Sequence, residues 1–222
     1  MKTKIANMIL VAFISLGALS CKEKGTEAAT SEAKEAAKSI ETATSFRIDT
    51  EASVIHWKGS KPGKDHVGTL TLNSGYLASS DKNISAGDFV IDMNSITNTD
   101  LEGQSKDNLE AHLKGTVEGK EQDFFNVIQY PTAGFVITSV SGENGDITLS
   151  GNLTIKDKTH NIEFPAVVSF PGDGVFLKSK PFTIDRTLWG VNFMSKSIFE
   201  ELKDQFISDD IELTVELHGK KG

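Results

Sequence analysis

The chain has 222 residues, 38% of them hydrophobic, and a formal charge of −8 at pH 7. This acidic balance disfavours nucleic acid as a partner, because phosphate contacts call for a basic face. Cys21 is the only cysteine, which excludes an intramolecular disulfide in any compartment.

Residues 1–20, MKTKIANMILVAFISLGALS, place Lys2 and Lys4 before an apolar run that is short for a bilayer span and ends in the small residues Ala18 and Ser20. They read as an export signal peptide. Its removal takes the formal charge from −8 to −10, since it holds two lysines and no acids. Cys21 follows in ALSC, which resembles a bacterial lipobox despite Ala18 standing where Leu, Val or Ile is usual. The resemblance implies that Cys21 is lipidated, and two acyl chains are what stable anchoring requires. Lys22 rather than Asp after the cysteine favours the outer membrane, so the expected location is the cell envelope, anchored there and facing the periplasm. Residues 22–45, rich in Ala, Ser, Thr, Lys and Glu, hold almost no large apolar side chain. With Cys21 they form a lipidated, flexible tether over 21–45, because such a segment buries too little surface to offset its ordering entropy.

Residues 46–222 are one domain's worth of chain. Eight segments rich in Val, Ile, Thr and Phe follow one another: SVIHWKG, VGTLTLNSG, GDFVIDMNSI, AGFVITSVSG, DITLSGNLTIKD, HNIEFPAVVSF, GVFLKSKPFTID and IELTVELHG. Several alternate cleanly. Leu70 and Leu72 oppose Thr69 and Thr71; Phe89, Ile91 and Met93 oppose Asp92 and Asn94; Leu149, Leu153 and Ile155 oppose Ser150, Asn152 and Thr154. Phe135 with Ile137, and Phe182 with Ile184, continue the dry phase. One wet and one dry face is the pattern of an antiparallel sheet. With turn signals at Gly145-Asp146 and Pro171–Gly174, eight such segments suggest an up-and-down barrel or a sandwich.

Two stretches break the strand pattern. Over 99–115, Thr99 and Glu102 form a capping-box pair, Leu101, Leu109 and Leu113 lie near helical spacing, and Gly115 is a stop. A short helix on the sheet is expected there. Over 186–206, Trp189, Phe193, Phe199 and Phe206 crowd between the last two strands, and the tail suits a helical turn.

The segments HVGTLTLNSGYL, GDFVIDMNSITNTD, EAHLKG, DFFNVIQYPTAGFVITSV, LSGNLTIKDKTHNIEFPA and FTIDRTLWGV stand in the order of the bacterial YceI-like family, which the chain resembles over nearly all of 46–219. The most specific parts are His112-Leu113, Asp123–Phe125, Tyr130-Pro131 and the run Gly151–Ile155. The resemblance implies an all-β fold, an extended eight-stranded antiparallel lipocalin-like barrel that holds a polyisoprenoid or similar long-chain lipid. It implies no catalytic activity and no cofactor beyond that lipid. The chain departs from the family pattern in an insertion at 114–122, in Glu110 where Asp is usual, and around HWKGSKPGKDHVG, although His66 and Gly68 match.

An eight-stranded ring is just wide enough to be filled by side chains or to hold one ligand, and alternation does not distinguish these. The expected tunnel wall is Leu70, Leu72, Phe89, Ile91 and Met93, then Phe135, Ile137, Leu149, Leu153 and Ile155, then Phe182, Ile184 and Trp189. Phe124 and Phe125 are a lid or wall beside it, or plain core. The reading is a lipid-sequestering or lipid-transporting envelope protein, with a long-chain lipid and, through the anchor, the membrane as partners and a homodimer left open. The alternative is an envelope stress or interaction protein whose barrel is filled. Chemistry-bearing motifs are weak: five histidines form no metal-binding pattern, and Ser74 and Ser141 lack the setting of an esterase serine. His112 suits a polar contact at the mouth or a solvated helix position. Asp185 and Arg186 suit a structural ion pair.

Overall fold

The computed structural model describes residues 25–222. The leader and Cys21 lie outside them. The eight expected strands all form, and they run as β4 (Val54–Lys61), β5 (Lys64–Ser80), β6 (Asn83–Asn98), β7 (Thr132–Glu143), β8 (Asp146–Ile155), β9 (Lys158–Ser169), β10 (Gly174–Ser179) and β12 (Asp210–Lys221). Each pairs antiparallel with the next, and β12 returns to β4, so the sheet closes into a ring of eight. Closure leaves no open edge in that ring. Two short strands extend it: β3 (Thr44–Ile48) bridges the far ends of β5 and β12, and β11 (Phe182–Asp185) continues β10 past Lys180-Pro181.

Hairpin chemistry sets the register. The pairs Asp81-Lys82, Asn144-Gly145 and Lys156-Asp157 all have positive φ and join Ser80 to Asn83, Glu143 to Asp146 and Ile155 to Lys158. Two such residues make the turn whose twist matches the strands. The dry phases then face inward: Phe89, Phe135, Ile137, Leu149 and Leu153 are all buried. On β8 the inward position Gly151 carries no side chain, and a Cβ there would overlap the Phe135 ring. That gap lets a continuous aromatic belt form from strand to strand, Phe89–Phe135 at 6.3 Å, Phe135–Phe164 at 5.8 Å and Phe164–Phe182 stacked at 4.2 Å.

Helix α1 spans Gly103–Lys114 and ends at Gly115 in the left-handed conformation, as expected. Its start differs. Thr99 does not cap it; Glu102 occupies the cap position, and the Thr99 hydroxyl donates to the Val67 carbonyl. The local pairing of the strand end outcompetes the capping box, because Asn98 and Asp100 tie the same turn to β5. The aromatic stretch after β11 forms two short 3-10 helices, Arg186–Trp189 and Glu200–Leu202.

The tether reading needs correction over residues 25–40. β1 (Thr26–Glu27) pairs parallel with β11, and β2 (Ala29–Glu32) pairs antiparallel with β9. The reason lies in the barrel wall. β10 pairs with β9 only from Ala166 to Ser169, so the stretch Glu163 back to His160 has no β10 beside it. Unpaired strand groups demand partners, and the N-terminal segment supplies them. Ala28 between the two short strands is 4% exposed and belongs to the core. Further along, Lys34 and Asn152 exchange two hydrogen bonds, and the Ala37 N–H donates to Ile137.

Candidate functional site

A cavity of about 700 Å³ occupies one end of the barrel. Its size falls within the range of ligand-holding clefts, ~300–1,000 Å³. β5 and β6 contribute Leu70, Leu72, Phe89, Ile91 and Met93 to its wall. β7 and β8 contribute Phe135, Leu149, Leu153 and Ile155, and β11 contributes Phe182 and Ile184. Phe124 and Phe125 line the mouth, the first wedged between His112 at 5.0 Å and Phe193 at 5.3 Å. Both line the cavity, and both also pack as core, Phe124 buried and Phe125 against Met93, Ile96 and Val127.

Two expected residues fall elsewhere. Ile137 is inward but wholly buried beyond the cavity, where its side chain reaches the position a Cβ at Gly87 would take. It belongs to the filled end of the ring. Trp189 is also wholly buried, with its indole donating to the Leu153 carbonyl at 3.0 Å and its ring edge-on to His160. It belongs to the packed core and does not line the cavity. Residues not anticipated by the sequence also line it, among them Ile55 and Trp57 of β4, Ile162 and Phe164 of β9, and alternate positions 211, 213, 215 and 217 of β12. The last four share a strict period of two, and that signal was present in IELTVELHG.

The mouth loops are held by two cations that use carbonyls. Arg186, 2% exposed, donates to the carbonyls of Val191, Phe193, Ile207 and Ser208 and meets Asp209 at 3.5 Å. Burial lowers its pKa, and the charges of Asp209 and Asp185 oppose that. The expected Asp185–Arg186 ion pair is replaced: Asp185 instead accepts from the Thr187 N–H and hydroxyl, capping the 3-10 helix. Lys156, at the β8–β9 turn, donates to Phe124 at 2.8 Å and to Gly190 at 3.5 Å. Burial lowers its pKa, and neighbouring Lys158 adds to the effect. His112 lies at the mouth, its Nε2 2.7 Å from Asp123. No cluster of three or more metal-binding side chains exists among the described residues.

Residues 46–218 match the YceI-like domain. The chain belongs to the YceI-like family. Among solved structures, Burkholderia cenocepacia BcnA superposes with a TM-score of 0.58 at 19% identity, covering 77% of this chain and 98% of that one. A polyisoprenoid binding domain from Saccharophagus degradans, implicated in plant cell wall breakdown, gives a TM-score of 0.56 at 15% identity, covering 81% of this chain and 99% of that one. Both share the fold. No curated protein matches the chain. The YceI-like match begins at Phe46, so β1, β2 and the pairing of residues 25–40 with the wall fall outside the matched region.

Proposed function

We propose that this YceI-like chain binds a polyisoprenoid or other long-chain lipid and sequesters or carries it in the bacterial envelope, held at the outer membrane through a lipidated Cys21. The observation that carries the reading is the apolar cavity inside a closed ring, lined by the strands, by Leu109 and Leu113 of α1 and by residues of the two long loops. Burying a long apolar tail there is favoured by about 25 cal/mol for each Å² removed from water, with no catalytic group required. The polyisoprenoid-binding relative from Saccharophagus degradans supports the same class of ligand.

Native mass spectrometry of the purified chain tests it. A co-purified lipid mass is the expected result, and a barrel that emerges bare from every envelope extract overturns the carrier reading in favour of an interaction protein. Anchoring has its own test: Cys21→Ser shifts the protein from the membrane fraction to the soluble one, and unchanged fractionation removes the anchor from the proposal.

A further inference from the structure

β10 joins β9 to β12 over part of their length, and toward the mouth a seam runs between β9 and β11. β9 leaves β10 at Pro165, whose carbonyl accepts from the Lys180 N–H at 2.9 Å, and β10 gives way to β11 at Pro181. Neither proline has an N–H to carry the ladder on, and β9 and β11 do not pair with each other. Ile162 and Phe164 of β9 and Phe182 and Ile184 of β11 border the seam and line the cavity. The Phe164 and Phe182 rings stack across it at 4.2 Å. Along this seam, side chains rather than backbone bonds form the inner wall.

The N-terminal strap, residues 25–32, covers the seam from outside. β1 takes the free side of β11 and β2 the free side of β9. Ala28, between them, packs in the core cluster that holds all four bordering residues, and no strap residue among those described lines the cavity. The grip is slight. Every residue of β1 and β2 is exposed, so the apolar hold is the one methyl group of Ala28. The remainder is hydrogen bonds: the β2–β9 ladder, and the N–H groups of Gly25 to Glu212 at 3.0 Å, Thr26 to Pro181 at 3.2 Å and Ala28 to Thr183 at 2.9 Å. Segments with few buried apolar contacts are the first to open locally. The mouth loops are tied more firmly, because Arg186 holds four of their carbonyls from a buried position.

Resting on the lipid-binding reading above, we propose that the seam between β9 and β11 is a side entrance to the cavity and that residues 25–32 are its displaceable cover, so that a lipid tail enters and leaves through the wall. A tail passing there meets apolar side chains throughout, whereas the mouth leads it past Asp204, Arg186, His66 and His112. Cys21 precedes Gly25 by four residues, a reach of at most about 14 Å, so an anchor there holds the start of the cover next to the bilayer.

Release of all-trans-retinol, a fluorescent isoprenoid alcohol, into phosphatidylcholine vesicles tests the route. In a Cys21→Ser background, which leaves no other thiol, Ala29→Cys/Glu163→Cys puts two thiols on direct partners of the β2–β9 ladder, within the span a disulfide bridges. Oxidation is expected to slow release at least about tenfold and reduction to restore it, while retinol affinity stays within about twofold because neither residue lines the cavity. Ala28→Asp, which drives the strap off, is expected to speed release about fivefold or more. A control cross-link through Lys178→Cys/Glu216→Cys, direct partners on β10 and β12 away from the seam, leaves the rate unchanged. Equal rates in the oxidised and reduced forms, or no change in Ala28→Asp, overturn the side entrance and send the tail through the mouth. Slowing by the control cross-link as well assigns the effect to general stiffening and overturns it too. A pair that never cross-links overturns the seating of the strap, and an unaltered chain that takes up no retinol overturns the lipid reading itself.

Discussion

The two ends of the barrel are built from the same alternating strands and yet differ in what fills them. Beyond the aromatic belt, Leu77, Ile84 and Ile137 from β5–β7 close on Val168, Val175 and Phe46, all no more than 6% exposed. Toward the mouth, the inward residues of the same strands surround open volume. The difference lies in what stands at each end. The far end is closed by hairpins of two or four residues and by β3. The mouth end is spanned by α1 and two long loops, whose carbonyls are tied down by Arg186 and Lys156. Tunnel and filled barrel, which sequence alternation left as rivals, each describe one end.

Removing what ties the mouth loops together has the largest expected effect. Arg186→Leu strips donors from four carbonyls and leaves Asp209 without its cation, at a cost of about 3–5 kcal/mol in urea unfolding. A cost below about 1 kcal/mol would show that the mouth loops hold themselves.

The contrast between the two ends is measured directly by one truncation in each. Ile137→Ala, in the filled end, is expected to cost about 3 kcal/mol, because close packing leaves a cavity behind. Ile91→Ala, in the hollow end, adds volume to space already present and costs about 1 kcal/mol while weakening lipid binding. Equal costs would erase the distinction.

The N-terminal segment offers a smaller perturbation. Ala28→Asp places a carboxylate in the core, and the chain escapes the penalty by releasing β1 and β2, so the loss is bounded at about 1–2 kcal/mol. Hydrogen exchange reports it locally: amides of β9 between His160 and Glu163 lose protection while those of β7 do not. Uniform loss across the sheet would mean that the segment holds the whole barrel.

The smallest effect is on acid stability. Its hydrogen bond to the Lys178 ammonium, 2.7 Å away, holds the Glu216 carboxyl below the ordinary value of 4.5. Folded pKa below unfolded pKa means that the contribution is complete above about pH 4.5 and is lost as the pH falls through the folded value. For a pair this exposed it amounts to less than about 1 kcal/mol. Unfolding of Glu216→Gln at pH 7 and pH 3 reads it: the variant is less stable at pH 7 only, and a deficit persisting at pH 3 assigns it to packing.

The strands and their inward faces were legible because a period of two is a local property: the Leu70–Leu72 and Phe89–Met93 phases declare themselves within a few residues. Turn chemistry added the hairpins. The sequence alone thus determined the eight strands, their dry faces and much of the cavity wall, while closure into a ring rests on the pairing of β12 with β4. Tertiary structure decided three things that no local window contains. Ile137 and Phe135 share one phase on one strand, but only their distance from the mouth puts one in the packed end and the other on the cavity. Residues 25–32 lack the apolar content to order themselves, and they acquire strands because β11 accepts β1 at its side and β10 leaves part of β9 free for β2. Arg186 stands next to Asp185 in the chain, yet its carbonyl partners come from residues 191–208, brought around it by the loop. Periodicity specifies which way a side chain faces; which groups lie opposite depends on contacts distant in sequence, and those form only when the ring closes.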